Sequence, residues 1–506
     1  MKYYLLPKMF RYLLLILLMP CAVYAADLDF YGDIVLSRGI EKFAEEKGTA
    51  TIVDHIRPFL SDDAIHIGNL EGAAGGDKLS CAGNHYPCFP IKKKYLPIID
   101  GFDVINLENN HSLDLGFAGF NNTISELKKR NIIPLGGNNY STIIETEKGN
   151  VAIIGVTDVI NNKNDRQYLA MADSPRIFRE IERLRKICTV VAVYIHWGRE
   201  LDNLPTDRMK ALAAKYISAG ADLIVGAHPH VVGKVVCING RPVVYSLGNF
   251  LFDQKYDDTK KGAVLKCAID DGDNMKCRLT GIQTPRNSYL PYSVKEDVYK
   301  NENEILSSCR VDVQKTWTGF FSGDKKKKRL LLKKDGKNSA SSYLELYDLT
   351  TGKKELKTPS MPIVKLQPVD INTDGILEIM LIQNVYSPLD EETAKRVYIY
   401  SMDKKFHALW RGSALSRPLL DALFVKNKNK QPVLVGLHTT DSFLIRKPEK
   451  TGRIVMSYRW NGFGFSGLKE LMYNINSSYI SYSKQNINLY DNNKFLIQKV
   501  PFMFLN

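Results

Sequence analysis

Two imidazoles two residues apart, His228 and His230 in Gly226-Ala227-His228-Pro229-His230, can each offer a ring nitrogen to a metal ion. In extended chain, residues i and i+2 project to one side. Pro229 disfavours helix at His228, so the spacing predicts a shared direction. His196 ends the apolar run that starts at Thr189, within Tyr194-Ile195-His196-Trp197-Gly198-Arg199-Glu200. Carboxylates are available from Asp33, which follows Gly32, and from Glu71 in Gly68-Asn69-Leu70-Glu71-Gly72. Asn110, in Asn109-Asn110-His111-Ser112-Leu113-Asp114, adds an amide oxygen. Its neighbour His111 can protonate an oxygen of a bound phosphate or ester. Asp114, three residues on, can orient that imidazole. Each segment alone has a plainer reading as a turn residue, a helix cap or a core histidine. Together they weigh more, because four of the nine histidines fall in them. Mixed carboxylate, amide and imidazole donors suit Zn²⁺, Mn²⁺ or Fe²⁺. Six candidate ligands (Asp33, Glu71, Asn110, His196, His228 and His230) exceed one tetrahedral zinc centre and point to two ions about 4 Å apart.

The elements that must position these groups are short and apolar. Leu28–Phe30 leads into Gly32-Asp33, and 103–107 leads into the Asn110 segment. Val151–Val156, Thr189–His196, 222–226 and 243–247 read as strands buried on both faces. Between them, 117–130, 175–186 and 206–219 read as helices. That alternation predicts a layered α/β sheet over residues 27–290, with polar residues just past the strand ends, where open α/β sheets place their sites.

Residues 291–339 read as a boundary, since periodicity fades and charged residues dominate. From 340 to 506 the texture is β-like: 343–349, 364–369, 378–383, 396–402, 432–437 and 442–446 alternate with turn signals. A propeller-like or sandwich module fits this texture, with no period that fixes a repeat number. Within it, Asp370, Asn372, Asp374 and Glu378 carry oxygens at positions 1, 3, 5 and 9 around Gly375, as a Ca²⁺ loop does. An Asx-turn hairpin without metal is the plainer alternative for the same residues.

Lys2, Lys8 and Arg11 precede the apolar run Leu13–Met19, and Val23-Tyr24-Ala25 ends a signal peptide read over residues 1–25. The run is shorter than the roughly 20 residues that span a bilayer. Export to the periplasm or cell surface follows as the expectation, with membrane contact only through that segment. Removal of Cys21 leaves seven cysteines, so at least one thiol is expected free, and Cys81 and Cys88 are spaced for a local disulfide. A net charge of +14 favours anionic partners. The run Lys325–Arg329 reads as a solvated loop. No recognised nucleic-acid module accompanies it, so nucleic acid is not expected as a partner.

The ordered set Gly32-Asp33, Asn69-Leu70-Glu71, Asn109-Asn110-His111 with Asp114 and Gly116, His196-Trp197-Gly198 with Glu200, Gly226–His230, and Val244–Phe250 resembles the bacterial capsule synthesis protein CapA, or poly-γ-glutamate synthesis, family. The resemblance spans about residues 28–255. It implies a four-layer calcineurin-like metallophosphoesterase sandwich, followed here by the mostly β region. It also implies Asp33, Glu71, Asn110, His196, His228 and His230 as ligands for one or two divalent ions, and His111 as the general acid or phosphate-facing histidine. The Asp-x-His start of many phosphoesterases is absent, because Ile34-Val35 follow Asp33. The expected function is a metal-dependent hydrolase in capsule or envelope polymer synthesis. It would act on an anionic polymer or phosphate-containing substrate, alongside envelope-assembly partners. A non-catalytic polymer-binding assembly factor, or a β-domain adhesion or carbohydrate-binding protein, fits the same features.

Overall fold

The computed structural model describes residues 27–500, apart from 61–63, 76–80, 83–86, 270–273, 287, 295–296, 313, 337, 388–391, 413–414, 416, 441–451, 484–485 and 492–495. The expected signal segment 1–25 and the expected strand 442–446 lie outside the described residues.

The first half is mixed α/β. One sheet runs Tyr292–Ser293, Asn274–Gln283, Lys261–Ile269, Leu28–Val35, Ile65–Glu71, Val104–Asn106, Ile133–Leu135. Its strands are parallel from Leu28–Val35 to Ile133–Leu135 and antiparallel across the 261–283 hairpin. The second sheet runs Val235–Ile238, Arg241–Val244, Leu223–Ala227, Val190–His196, Gly149–Thr157, Ser141–Thr146. The strand Val190–His196 shows why these segments read as apolar runs. Val190, Ala192 and Tyr194 point into a core shared with Phe30, Ile67 and Leu265 of the first sheet. Val191, Val193 and Ile195 point the other way, against Ile181, Leu212 and Tyr216 of the helices Pro175–Arg185 and Asp207–Ala219. Alternate residues thus fill two different cores, and a strand with no wet face has no polar alternation to show. Helices Arg38–Lys47, Thr49–Ile56 and Gly116–Lys129 cover the outer face of the first sheet through Ile40, Ile52, Phe120 and Leu127.

The three expected helices lie where the periodicity places them. The third begins at Asp207, with Thr206 capping it by accepting from Met209 N at 3.3 Å. The 243–247 strand is displaced to Arg241–Val244, because Leu247 and Gly248 are drawn to the Leu28–Val35 side, where Gly248 O accepts from Asp33 N at 3.0 Å. Residues 291–339 carry regular structure at both ends. Helix Lys300–Ser308 packs on the first half, and strands Thr316–Gly319 and Lys328–Asp335 open the β-rich half. The basic run is therefore not all loop. Lys325–Lys327 are exposed, but Lys328 is buried and paired with Asp324 and Glu355.

The β-rich half is a series of antiparallel meanders. The first holds Thr316–Gly319, Lys328–Asp335, Asn338–Asp348 and Lys354–Lys357. The second holds Ile363–Val369, Glu378–Ser387, Glu392–Ser401 and His407–Trp410. The third holds Leu419–Lys426, Pro432–Thr439, Arg453–Trp460 and Phe465–Tyr473, and its first strand pairs with the second meander at Lys395 and Leu419. The last holds Tyr479–Ser483, Asn486–Tyr490 and Leu496–Val500. Separate apolar clusters lie between first and second, second and third, and third and fourth, so the meanders stack face to face in sequence order.

Disulfides join Cys81–Cys88, Cys237–Cys309 and Cys267–Cys277. The remaining described thiol, Cys188, is buried, and burial pushes it up to about 12.

Candidate metal centre

Asp33 sits inside the strand Leu28–Val35 rather than just past it. Its pairing register shifts on both sides, which marks a bulge that aims the carboxylate out of the ladder. Gly32 makes this possible, because a Cβ there would collide with the Gly248 carbonyl oxygen. Asp33 Oδ1 accepts from Asn69 Nδ2 at 2.9 Å, and Oδ2 accepts from the His228 backbone N–H at 3.1 Å. The same Oδ2 lies 3.1 Å from His230 Nδ1.

Glu71 ends its strand fully buried, and neither carboxylate oxygen has a hydrogen-bond partner. Burial, then repulsion from Asp33, raises its pKa well above the usual range. Glu71, Asp33 and His230 each present a ligand atom within 4.8 Å of the others, and so do Glu200, His228 and His230.

The imidazoles differ sharply. Burial, then the neighbouring histidines, pushes His196 well below the ordinary value. Burial holds His228 down to about 3, and its Nδ1 has no partner. Burial opposes charge on His230 as well, but the Glu71 and Asp33 carboxylates hold it up to about 9. His228 and His230 are not in extended chain, contrary to the sequence expectation. Their φ angles are +94° and +60°, a region costly for non-glycine residues. Pro229 excludes helix at His228 but does not enforce a strand. Capture of the His228 N–H by Asp33 turns the chain instead, and both rings still face the centre, 5.9 Å apart.

The Asn110 segment closes the ring. Asn110 Oδ1 is 2.8 Å from His196 Nε2. His111 Nδ1 is 2.9 Å from Asp114 Oδ2, as the spacing predicts, and its ring stacks on Phe89 at 4.0 Å. His111 Nε2 points toward Glu71, 4.0 Å away. Asp114 is itself fixed by the Phe89 backbone N–H at 2.6 Å.

All six expected ligands, with His111 and Asp114, therefore converge from five chain segments. Sequence reasoning assigned no role to three further residues. Asn69 accepts from Asn106 and Asn109 and presents its own amide to Asp33 and His196, whose Nδ1 is 3.2 Å away. Asn249 Oδ1 lies 2.9 Å from His230 Nδ1. Glu200 joins the His228 and His230 group. Asn69, Asn249 and Glu200 all lie within or beside the motifs, but one sequence does not separate a positioning amide from a capping one. The donor set suits a divalent cation: two buried carboxylate oxygens and a buried ring nitrogen lack partners, beside an amide oxygen and two more imidazoles.

The Asp370 loop links two strands of the second meander and is closed by its own backbone. Asp370 accepts from Asp374 N and Gly375 N at 3.1 and 2.9 Å, Asp374 from Ile376 N at 2.8 Å, and Glu378 from Ile371 N at 3.1 Å. These are Asx-turn bonds, which a calcium loop and a metal-free hairpin share.

The family model of the bacterial capsule synthesis protein PGA_cap matches residues 27–254. "PGA biosynthesis protein CapA" of Bacillus subtilis is 31% identical over 302 residues, covering 57% of this chain and 78% of that protein. "Capsule biosynthesis protein CapA" of Bacillus anthracis is 29% identical over 328 residues, covering 60% and 75%. Among solved structures, a hypothetical protein from Thermus thermophilus overlays 53% of this chain and 99% of its own, at 14% identity and a TM-score of 0.32. The matched residues contain every donor of the centre, and the chain belongs to the bacterial capsule synthesis protein CapA family.

Proposed function

We propose that the first half is a metal-dependent hydrolase of the phosphoesterase type, built as a four-layer sandwich and acting in the synthesis of an anionic capsule or envelope polymer of the poly-γ-glutamate kind. The observation that carries this reading is the buried, partnerless pair of Glu71 oxygens beside Asp33, His230 and His111. Asp33, Glu71, Asn110, His196, His228 and His230 would hold one or two ions of Zn²⁺, Mn²⁺ or Fe²⁺. Such ions supply charge neutralisation and activated water. The chain's own part is positional and acid–base. Asn69 and Asn249 fix the carboxylate and imidazole rotamers, and Asp114 holds the His111 ring so that Nε2 faces the centre, where it can protonate a leaving oxygen. Phe89, stacked flat on that ring, keeps it from rotating.

The three disulfides support export. We therefore place the mature protein in the periplasm or at the cell surface, released at Ala25, with anionic polymer and envelope-assembly partners there. The test is elemental analysis of purified protein together with hydrolysis of bis-p-nitrophenyl phosphate. Wild type is expected to retain bound metal and cleave the ester, and His228→Ala to lose both. Metal-free, inactive wild type that stays so after loading with each ion would overturn the proposal.

A further inference from the structure

A cavity of about 890 Å³ lies between the two halves of the chain, and none of the six metal-centre donors lines it. Its floor is the start of the strand that carries Asp33. Asp29 lines the cavity, four residues before Asp33, about 13 Å along an extended strand. Its roof is formed by the first strands of all four meanders, through Trp317, Leu366, Asp421 and Ile480. Every meander thus contributes to one chamber.

The charge of the lining is one-sided. Among the described residues that form it, eight are lysine or arginine and four are carboxylates. Three of those carboxylates are engaged by two lysines. Lys365 lies 3.5 Å from Glu147 and 3.2 Å from Asp421, and Lys266 lies 2.7 Å from Asp29. Of these pairs, Lys365–Glu147 bridges the two halves. Lys276, Lys315, Lys334 and Lys395 add cationic charge around the same space. An excess of positive charge in a concave, partly desolvated space focuses potential and attracts anions. Seven of the eight cations are lysines. Lysine is a flexible point charge, whereas arginine's rigid fork suits bidentate phosphate recognition. Lysines suit carboxylates spaced along a mobile chain, and Trp317, Tyr479 and Tyr490 offer apolar faces for the methylenes between them.

We propose that this cavity is a second binding site, for an extended oligocarboxylate such as a short γ-linked glutamate segment. The carboxylate identity rests on the polymer role proposed above, but the site itself stands on the cavity and its charge. The site would hold polymer remote from the metal centre, as an anchoring subsite on the opposite end of the sheet.

The test uses the full mature chain and a fluorescein-labelled γ-glutamate oligomer followed by anisotropy at low and high salt. Wild type is expected to bind with a salt-sensitive Kd. Lys276→Glu/Lys334→Glu is expected to weaken binding about tenfold or more, because four units of charge change at short range. Lys325→Glu/Lys326→Glu, the same charge change on the exposed run outside the cavity, is expected to have less than about a twofold effect. Lys276→Gln/Lys334→Gln, a gentler pair, is expected to fall between and to melt like wild type. Equal losses in the cavity and control pairs, or none in either cavity pair, would overturn the site. Inorganic polyphosphate competing as well as the glutamate oligomer would overturn the carboxylate assignment. Metal content and phosphodiester cleavage, measured on the same proteins, are expected to be unchanged by the cavity substitutions. Failure of the hydrolase reading would appear there and not in the anisotropy.

Discussion

Asn69 accepts two amide N–H groups on its oxygen and offers its own N–H groups to Asp33 and His196. A side chain so placed orients donors without being one. Removing such a partner usually lowers metal affinity 10- to 100-fold, roughly, with the ligands intact. Asn69→Ala is therefore expected to bind metal more weakly in a chelator competition while keeping wild-type stoichiometry at saturation; an unchanged affinity would reduce Asn69 to a structural polar contact. A second residue-scale prediction concerns His438, far from this centre. It is fully buried, 3.0 Å from Arg417 O through Nδ1 and 2.9 Å from Tyr458 Oη through Nε2. Burial holds it down to about 4. A histidine depressed in the folded state takes up its proton first in the unfolded chain, so stability is complete above the unfolded pKa near 6.5 and falls as pH drops toward 4. The loss amounts to up to about 3 kcal/mol. Thermal melts between pH 7 and 4 should show that slope in wild type and a flatter one in His438→Gln. Parallel slopes would assign the acid sensitivity elsewhere.

At the scale of elements, legibility followed burial. The strands Gly149–Thr157 and Val190–His196 read clearly because both faces are apolar, and the helices Gly116–Lys129 and Pro175–Arg185 because one face is. Helices Arg38–Lys47 and Thr49–Ile56 were not expected: they are short, and the charges of the first swamp its two buried residues, Ile40 and Ala44. The site was legible as a set of donors, since each falls at or near a strand end, but its geometry was not. The bulge at Asp33 and the left-handed backbone at His228 and His230 arise from contacts made over nearly two hundred residues, which local pattern does not encode. The meanders were under-read for a related reason. Strands such as Phe465–Tyr473 are mostly exposed, and Phe465 at its start packs in the cluster shared with the preceding meander. Leu381 tests this. It lies wholly buried between the first and second meanders. Leu381→Ala is expected to cost about 2–5 kcal/mol. Denaturant titration should report that loss, and a loss below about 1 kcal/mol would mean the meanders do not share a tight core.

At the scale of the whole molecule, the question is where one half ends and the other begins. The contacts across the join are polar. Thr316 N donates to Thr189 Oγ1 at 2.8 Å, Asn150 Nδ2 to Thr318 Oγ1 at 3.1 Å, and Trp317 Nε1 to Thr146 O at 3.3 Å. Helix Lys300–Ser308 and the strand Val311–Asp312, by contrast, belong to the first half, tied there by Cys237–Cys309 and by pairing with Met275. That disulfide closes 72 residues of chain, against seven for Cys81–Cys88. Loop entropy alone gives the longer about 4 kcal/mol and the shorter about 2. Serine pairs at the two sites should rank in that order in urea melts. The same reasoning places the natural cut near residue 312, well before 340. A chain ending at 339 would keep Thr316–Gly319 and Lys328–Asp335 but lose Asn338–Asp348, which pairs along the length of Lys328–Asp335. It would leave that edge open and bare Trp317, Phe321 and Leu330, the features that drive aggregation. A 27–312 chain gives up these polar contacts and is expected to elute as a monomer in size-exclusion chromatography with light scattering. A 27–339 chain is expected to aggregate. If the longer fragment is the better behaved, the first meander is stabilised by the α/β half rather than by its neighbours, and the chamber between the halves would be part of one continuous core.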